Sequence, residues 1–129
     1  MAKFGYSRNV RIKTKAAFGA VFERKCFAKN TLMAVYIAPN NTEKRRFAVS
    51  VSGRIRPAIS RNRLKRLARE TFRLNQNELP CGFDYILVYS IWLSKKEKSD
   101  IKKITLDQVR QGFMELAALA HKRYDKQSN

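Results

Sequence analysis

The chain has 129 residues, of which 44% are hydrophobic, and this is enough to bury the core of a single domain spanning residues 1–129. Its 28 Lys and Arg against 10 Asp and Glu give a formal net charge of +18, which favours a nucleic acid partner over an anionic membrane or a merely solubilising surface. The two cysteines are too few for a disulfide framework or a four-ligand zinc site, and without an apolar run that suits a signal peptide or membrane span we expect a cytoplasmic protein.

Both ends of the chain are polar, and we expect mobile tails over residues 1–10 and 122–129. Thr14 is a suitable N-cap, and apolar residues follow it at helical spacing. These residues are Phe18, Val21 and Phe22. The pattern predicts a short first helix that ends before Ala28.

Residues 32–38 and 46–52 alternate as strands do, with larger apolar side chains on one face. That face carries Met33, Val35, Ile37, Phe47, Val49 and Val51, and the other carries Ala34, Tyr36, Ala38, Ala48 and Ser50. The turn-forming residues 39–41 separate the two segments. We therefore predict an antiparallel hairpin.

The second half of the chain predicts a helix, a strand and a helix. Residues 59–74 are helical in composition and spacing, whereas residues 83–89 form a continuous apolar and aromatic run, typical of a central strand buried on both faces. Asp100 can cap a last helix whose buried stripe is Leu106, Val109, Phe113, Leu116 and Ala120. The order αββαβα predicts an α+β domain with one mixed sheet packed against helices.

Residues 54–73 carry the densest charge of the chain. The cations are Arg54, Arg56, Arg61, Arg63, Lys65, Arg66, Arg69 and Arg73, and Glu70 is the single acid among them. At 100° per residue, one side of the predicted helix carries Arg61, Asn62, Lys65, Arg66, Arg69 and Arg73, and the other carries Leu64, Leu67, Ala68, Thr71 and Phe72. One side is predicted to pack, and the other to bind phosphate.

The line of like charges on this helix favours a bound polyanion. Cations four residues apart destabilise a helix by about 0.2–0.5 kcal/mol per pair, and bound phosphates offset that cost. A guanidinium donates two parallel hydrogen bonds to a phosphate, and Asn62 can bond bases or sugar hydroxyls. The alternative is an ordinary exposed basic helix.

Residues 60–70, with the sequence Ser-Arg-Asn-Arg-Leu-Lys-Arg-Leu-Ala-Arg-Glu, strongly resemble the Arg-Asn-Arg signature helix of the bacterial ribonuclease P protein family. The resemblance extends upstream through residues 47–52. Downstream it extends through residues 71–73 and 77–80, where the chain is similar to proteobacterial members. It covers most of residues 8–90.

This resemblance implies an α/β sandwich, with room for an extra short strand, in which the helix between two parallel strands makes a left-handed crossover against the usual preference. It implies a subunit that binds the catalytic RNA of ribonuclease P and precursor tRNA, and neither DNA nor a membrane. The subunit would support endonucleolytic removal of the 5′ leader in tRNA maturation. Mg²⁺ is then expected at the RNA active site, with no catalytic residue, metal or cofactor on the protein.

The resemblance also implies the roles of individual residues. The signature helix and the loop before it are expected to bind the catalytic RNA, through Arg54, Arg56, Arg61, Asn62, Arg63, Lys65, Arg66, Arg69 and Arg73. Here Arg54 and Arg56 keep the charge where other members often carry paired lysines. A cleft between the first helix and the sheet is expected to bind the leader, lined by Phe18, Phe22, Tyr36, Ser50 and Ser52. We assign no leader contact to Tyr89 or Ser90, which stand where a basic residue is common in the family.

The residues themselves are compatible with such a cleft. Small side chains leave the Tyr36 side of the sheet shallow enough for a single strand, namely Ala34, Ala38, Ala48 and Ser50. A base stacked on Phe or Tyr is stabilised by about 1–3 kcal/mol whatever its identity, which suits a leader of variable sequence. Phe18 and Phe22 have the helical spacing of core residues, so each could equally belong to the core.

Two other functions need different residues. An autonomous nuclease needs clustered carboxylates or a pair of histidines. His121 is the one histidine and is predicted to lie in a polar tail, and carboxylates such as Glu70 and Asp84 share no motif. A ribosomal-type structural RNA-binding protein fits the charge and the fold class, and only the signature segment argues against it.

Overall fold

The computed structural model describes residues 11, 12 and 14–128. Its helices are α1 (Lys15–Arg24), α2 (Ala58–Asn75), α3 (Lys98–Lys102) and α4 (Leu106–Ser128). Its strands are β1 (Phe27–Lys29), β2 (Met33–Pro39), β3 (Arg46–Ser50) and β4 (Phe83–Tyr89), and 3₁₀ turns occupy Gln76–Glu78 and Ile91–Lys95. The predicted α+β class and element order are confirmed, with β1 as the extra short strand and α3 as an additional short helix.

The four strands form one mixed sheet in the order β1-β2-β4-β3. β4 pairs antiparallel with β2 and parallel with β3. The predicted hairpin is therefore wrong, because β4, apolar on both faces, lies between the two strands. The β2–β3 connection passes the start of β4, where Asn40 N–H donates to the Gly82 carbonyl and Gly82 N–H donates to that of Lys44.

Gly82 is required at this crossing. Its φ is +77°, and a Cβ there would lie 3.0 Å from the carbonyl oxygen of Thr42. β3, α2 and β4 together form the parallel crossover that the family resemblance implies. Its left-handedness stays a prediction.

The sheet separates two apolar layers, as the alternation in the strands predicts. The large residues of β2, β3 and β4 pack against α2 and α4, where Phe47 stacks on Phe72 with ring centroids 4.8 Å apart. The opposite face packs against α1 through Ala38, Ala48, Ile86 and Val21. β4 contributes to both layers, which is why it is internal.

The helix starts are set by hydrogen-bonding side chains. The predicted N-cap Thr14 is confirmed, because its Oγ1 accepts from Ala17 N–H at 3.0 Å. The predicted cap Asp100 is wrong, since it lies inside α3. α4 begins instead after Thr105, whose hydroxyl accepts from Gln108 N–H at 3.2 Å while the Gln108 amide oxygen accepts from Thr105 N–H at 2.9 Å.

We predicted a C-terminal tail over residues 122–129. This prediction is wrong for the residues up to Ser128, because α4 continues to that residue. Arg123 holds this last part of the helix against the sheet by donating to the carbonyl of Phe27 in β1. The tail predicted for residues 1–10 lies outside the described residues. Within the described part of the chain, no helix is both long enough and apolar enough to cross a membrane.

Candidate nucleic-acid interface

The loop of residues 51–57 leads from β3 into α2 and is held in place from both sides. Ile55 is fully buried, whereas Arg54 and Arg56 on either side of it are exposed. Arg61, one turn into α2, donates from Nη1 to the Ile55 carbonyl at 2.8 Å. The loop thus presents two of the predicted RNA-binding arginines outward, while Arg61 itself is engaged in holding the loop.

α2 is amphipathic as the sequence predicts. Leu64, Ala68 and Phe72 are fully buried. The outward side carries Asn62, Lys65, Arg66, Arg69 and Arg73, which we call the basic face, and these residues with Glu70 line a depression of about 300 Å³. The structure therefore brings five of the predicted RNA-binding residues onto one surface, and their contact with RNA stays a prediction.

Glu70 places one negative charge at the edge of the basic face. It forms an ion pair with Arg73, three residues further along α2. The hydrogen bond from Arg73 holds the pKa of the Glu70 carboxyl below its ordinary value. The cation of Arg73 is thus partly balanced within the protein.

Arg63 differs from the other arginines of the signature segment. Its Nη2 donates to the carbonyls of Lys102, at 3.1 Å, and Ile104, at 2.7 Å, and so it holds the end of α3 against α2. The sequence resemblance assigned this side chain to RNA. The structure gives it a role inside the fold, which the motif alone could not reveal.

The α1 side of the sheet has a groove at the ends of β2, β3 and β4. It measures about 410 Å³, and we call it the serine groove; it is lined by Lys29, Asn30, Met33, Ala34, Ser50, Ser52, Val88, Tyr89, Ser90 and Ile91. Two of the residues predicted for the leader cleft, Ser50 and Ser52, lie in it. The sequence analysis assigned no leader contact to the other lining residues, and it left Tyr89 and Ser90 out explicitly. The register that places Ala34 and Ser50 beside Val88 is set by long-range strand pairing, which local patterns do not show.

The groove ends at an exposed turn. Ile91 lines the groove, and the next residue, Trp92, is 52% exposed with the Lys96 ammonium 4.1 Å from its ring centroid. Trp92 is the single tryptophan of the chain. It is therefore a natural fluorescent reporter beside the groove.

The other three residues predicted for the cleft form an aromatic cluster on the same face of the sheet. Phe22 lies edge-on to Tyr36 with ring centroids 4.8 Å apart, and Phe18 is 5.8 Å from Phe22. Phe27, which the sequence analysis did not include, stacks on Tyr36 at 4.8 Å as its cross-strand neighbour. These rings are half-buried, so they pack together and still present edges to solvent.

Loop 51–57 connects the serine groove with the basic face. Ser52 lines the groove, and its hydroxyl accepts from Arg54 N–H at 3.2 Å. Further along the loop, Ile55 accepts from Arg61 of α2. The two predicted RNA surfaces are thus neighbours along one short, well-bonded segment.

The groups that a protein nuclease could use are engaged in the fold. Asp84 is 3% exposed and accepts from Arg46 at 2.7 and 2.9 Å and from the Asn40 amide at 2.9 Å. His121 does not lie in a polar tail as predicted, because its Nε2 is 2.9 Å from the hydroxyl of Tyr85. Burial lowers the pKa of His121, and it raises that of Tyr85. In the described residues, no three His, Cys, Asp or Glu side chains are grouped as metal ligands.

The sheet with its two helical layers, a basic helical face and an adjoining shallow groove define a small RNA-binding α+β protein. The family model described as Ribonuclease P matches residues 6–115. The chain is 34% identical over 118 residues to the ribonuclease P protein component of Haemophilus influenzae (strain PittGG), which covers 91% of this chain and 98% of that protein. The same values relate it to the ribonuclease P protein component of Pasteurella multocida (strain Pm70).

Solved structures of ribonuclease P proteins resemble this chain as well. The ribonuclease P protein from Thermotoga maritima in complex with 1-(4-fluorophenyl)-2-thiourea matches with a TM-score of 0.71 at 26% identity, covering 81% of this chain and 94% of that one. The Staphylococcus aureus protein, at 23% identity and a TM-score of 0.70 over 86% and 94% of the two chains, shows the same fold. The chain belongs to the ribonuclease P protein family. The comparisons thus support a ribonuclease P protein component, and not the ribosomal-type alternative.

Proposed function

We propose that this chain binds the catalytic RNA of a bacterial ribonuclease P through the basic face and loop 51–57, and binds the 5′ leader of precursor tRNA in the serine groove. The observation that carries the proposal is the loop itself. Its second residue, Ser52, lines the groove, its Arg54 and Arg56 are exposed, and its Ile55 carbonyl accepts from Arg61 of α2. A protein anchored on its RNA by α2 would thereby hold the leader close to that RNA.

The basic face has the chemistry for a folded RNA backbone. Its side chains project from a helix whose other side is fixed in the core, so their spacing is rigid. Arg66 and Arg69 are exposed and can each donate two hydrogen bonds to a phosphate. Such contacts release counterions, so affinity for the catalytic RNA should fall steeply with salt.

The serine groove has the chemistry for a single strand of any sequence. Ser50 and Ser52 line it together with Ser90, which the sequence analysis had left out, and their hydroxyls can bond phosphates or sugars without reading bases. The aromatic cluster lies on the same face, and ring faces that its half-buried side chains expose can stack bases. Both interactions are indifferent to base identity, as a leader that differs between tRNAs requires.

In this proposal the bond is cleaved on the RNA and not on the protein. Phosphates of the catalytic RNA are expected to hold Mg²⁺, which would supply the activation of the attacking water. The carboxylates of Asp84 and Glu70 are bound to arginines of the protein, so they are poorly placed to serve as its ligands. The protein contributes binding and placement of the substrate.

The first test measures cleavage of a precursor tRNA by the matching catalytic RNA, with and without this protein, at limiting Mg²⁺. We expect the protein to lower KM for the precursor and to reduce the Mg²⁺ requirement. Equal KM values and equal Mg²⁺ dependence in the two reactions would contradict the proposal.

A second test separates the two surfaces. Lys65→Ala with Arg69→Ala should weaken catalytic-RNA binding. The plot of log K against log salt should become less steep, by the amount that about two phosphate contacts contribute. Ser50→Leu, which narrows the groove, should raise KM for a precursor with a long leader and leave catalytic-RNA binding unchanged. Leu119→Ala, an exposed position on α4, is the control.

A leader oligonucleotide should also change the emission of Trp92 in the wild-type chain, and less so in Ser50→Leu, because the tryptophan lies next to the groove. Equal emission changes in both proteins would place the oligonucleotide elsewhere.

A further inference from the structure

A second recess lies where the first turns of α2 meet the short helix α3. It measures about 380 Å³ and is lined by Ile59, Ser60, Arg63, Arg66, Lys98, Ile101 and Lys102. Nothing in the proposed function uses α3. We call this site the α2–α3 recess.

Arg63 shapes the recess. By donating to the carbonyls of Lys102 and Ile104 it fixes α3 beside α2. Its Nε is buried and has no hydrogen-bond partner among the described residues. A buried N–H without a partner carries a desolvation cost that an acceptor on a bound ligand would remove.

The lining combines an apolar floor with a cationic rim. Ile101 is 1% exposed at the bottom, whereas Ile59 is 60% exposed at the edge. Lys98 and Lys102 stand three residues before and one residue after Ile101 and thus share its side of α3, while Asp100 lies about 200° around the helix from Lys98. Every charged side chain that lines the recess is a cation.

This composition fits one unpaired nucleotide. An unstacked base can lie on apolar side chains, as bases splayed out of folded RNA commonly do in protein complexes, and its phosphates need cations within reach. Arg66 lines both the recess and the basic face. An RNA that lies along α2 therefore reaches the recess without a gap.

We infer that the α2–α3 recess takes an unstacked nucleotide of the catalytic RNA, with its base against Ile59 and Ile101 and its phosphates on Lys98 and Lys102. The inference rests on the proposed function, because it extends the RNA surface of α2 onto α3. An acidic peptide would match the charge of the rim, but continuity with the basic face through Arg66 favours the nucleotide.

The test uses the full chain and its matching catalytic RNA, with affinity measured over a range of salt. Ile59→Ala should weaken binding about five- to ten-fold at an unchanged salt slope, because it removes apolar contact and no charge. Lys98→Ala with Lys102→Ala should weaken binding. It should also make the plot of log K against log salt less steep, by the amount that about two phosphate contacts contribute. The three positions of this design, and the three of the controls below, are exposed enough for the fold to tolerate alanine, which thermal melts will verify.

Matched controls are available on the same protein. Leu74→Ala removes an exposed apolar side chain at the other end of α2, and Lys122→Ala with Lys126→Ala removes two exposed charges from α4. Both should leave affinity within about two-fold of wild type. If the recess variants behave like these controls while Lys65→Ala with Arg69→Ala weakens binding, the inference is overturned and the proposed function stands. If that pair is also without effect, both fall.

Discussion

Arg61 and Arg63 use their guanidinium groups to hold backbone segments of the protein in place, although the signature motif assigns both side chains to RNA. Arg61 bonds the carbonyl of Ile55, and Arg63 bonds those of Lys102 and Ile104. Both hydrogen bonds of Arg63 come from one nitrogen, Nη2, whose two N–H groups serve the two carbonyls. At these two positions arginine therefore stabilises the surface on which the neighbouring cations stand.

Arg63→Ala should lower the free energy of unfolding by about 1–3 kcal/mol, since it leaves the carbonyls of Lys102 and Ile104 without this donor. Urea denaturation followed by circular dichroism measures the change. Arg66→Ala, at an exposed neighbouring position, should stay within about 0.5 kcal/mol of wild type. Equal stability of the two variants would show that Arg63 does not hold α3 in place.

At the scale of elements, the sequence predicts what is local and misses what is long-range. The residues of α2 were predicted to within one at each end, because charge and apolar spacing agree there. The β2–β3 hairpin was wrong because strand order depends on β4, which enters between them from more than thirty residues away. The start of α4 could have been found, since Thr105 and Gln108 form a recognisable capping pair.

In the candidate site, too, the sequence predicts the local features and misses those that depend on tertiary contacts. The amphipathic pattern of α2 is a property of one segment, so the basic face was predicted. Helical spacing placed Phe18 and Phe22 toward the sheet, but their degree of exposure depends on Tyr36 and on Phe27 from a strand that the sequence did not define. The recess between α2 and α3 needed the tertiary contact made by Arg63, which has no signature in sequence.

α4 carries a pH-sensitive contact at His121. The Tyr85 hydroxyl donates to the Pro80 carbonyl at 2.7 Å, so its oxygen is left to accept from His121 Nε2 at 2.9 Å. Burial lowers the pKa of His121, and the nearby Asp125 opposes this only in part. The unfolded chain therefore binds the proton more readily, and stability must fall as pH drops through about 6.5, the pKa of an unfolded histidine.

We expect the free energy of unfolding of the wild-type chain to decrease between pH 7 and pH 5 relative to that of His121→Gln. Glutamine keeps an N–H donor for Tyr85 and does not titrate, and the carboxylates common to both proteins cancel in the comparison. Denaturant titrations at several pH values measure the difference. Parallel stability curves for the two proteins would contradict the assignment of His121.

For the whole molecule, the net charge of +18 opposes the compact state. Among the described acids, Asp84 is paired with Arg46 away from α2, and Glu70 offsets Arg73 alone, so the other cations of α2 still repel one another. Salt screens repulsion between exposed charges more than it weakens a buried pair. The free protein should therefore be less stable at low ionic strength.

Raising NaCl from about 20 mM to about 0.5 M should raise Tm by at least about 4 °C, because the Debye length falls below the spacing of charges on α2 and a gain of 1 kcal/mol shifts Tm by roughly that amount in a domain of this size. Differential scanning calorimetry measures the shift. Lys65→Gln with Arg69→Gln, which removes two charges from the basic face, should raise Tm at low salt and shrink the salt effect. A Tm that falls with added NaCl would mean that attractive pairs, and not the surplus of cations, dominate the electrostatics of the free protein.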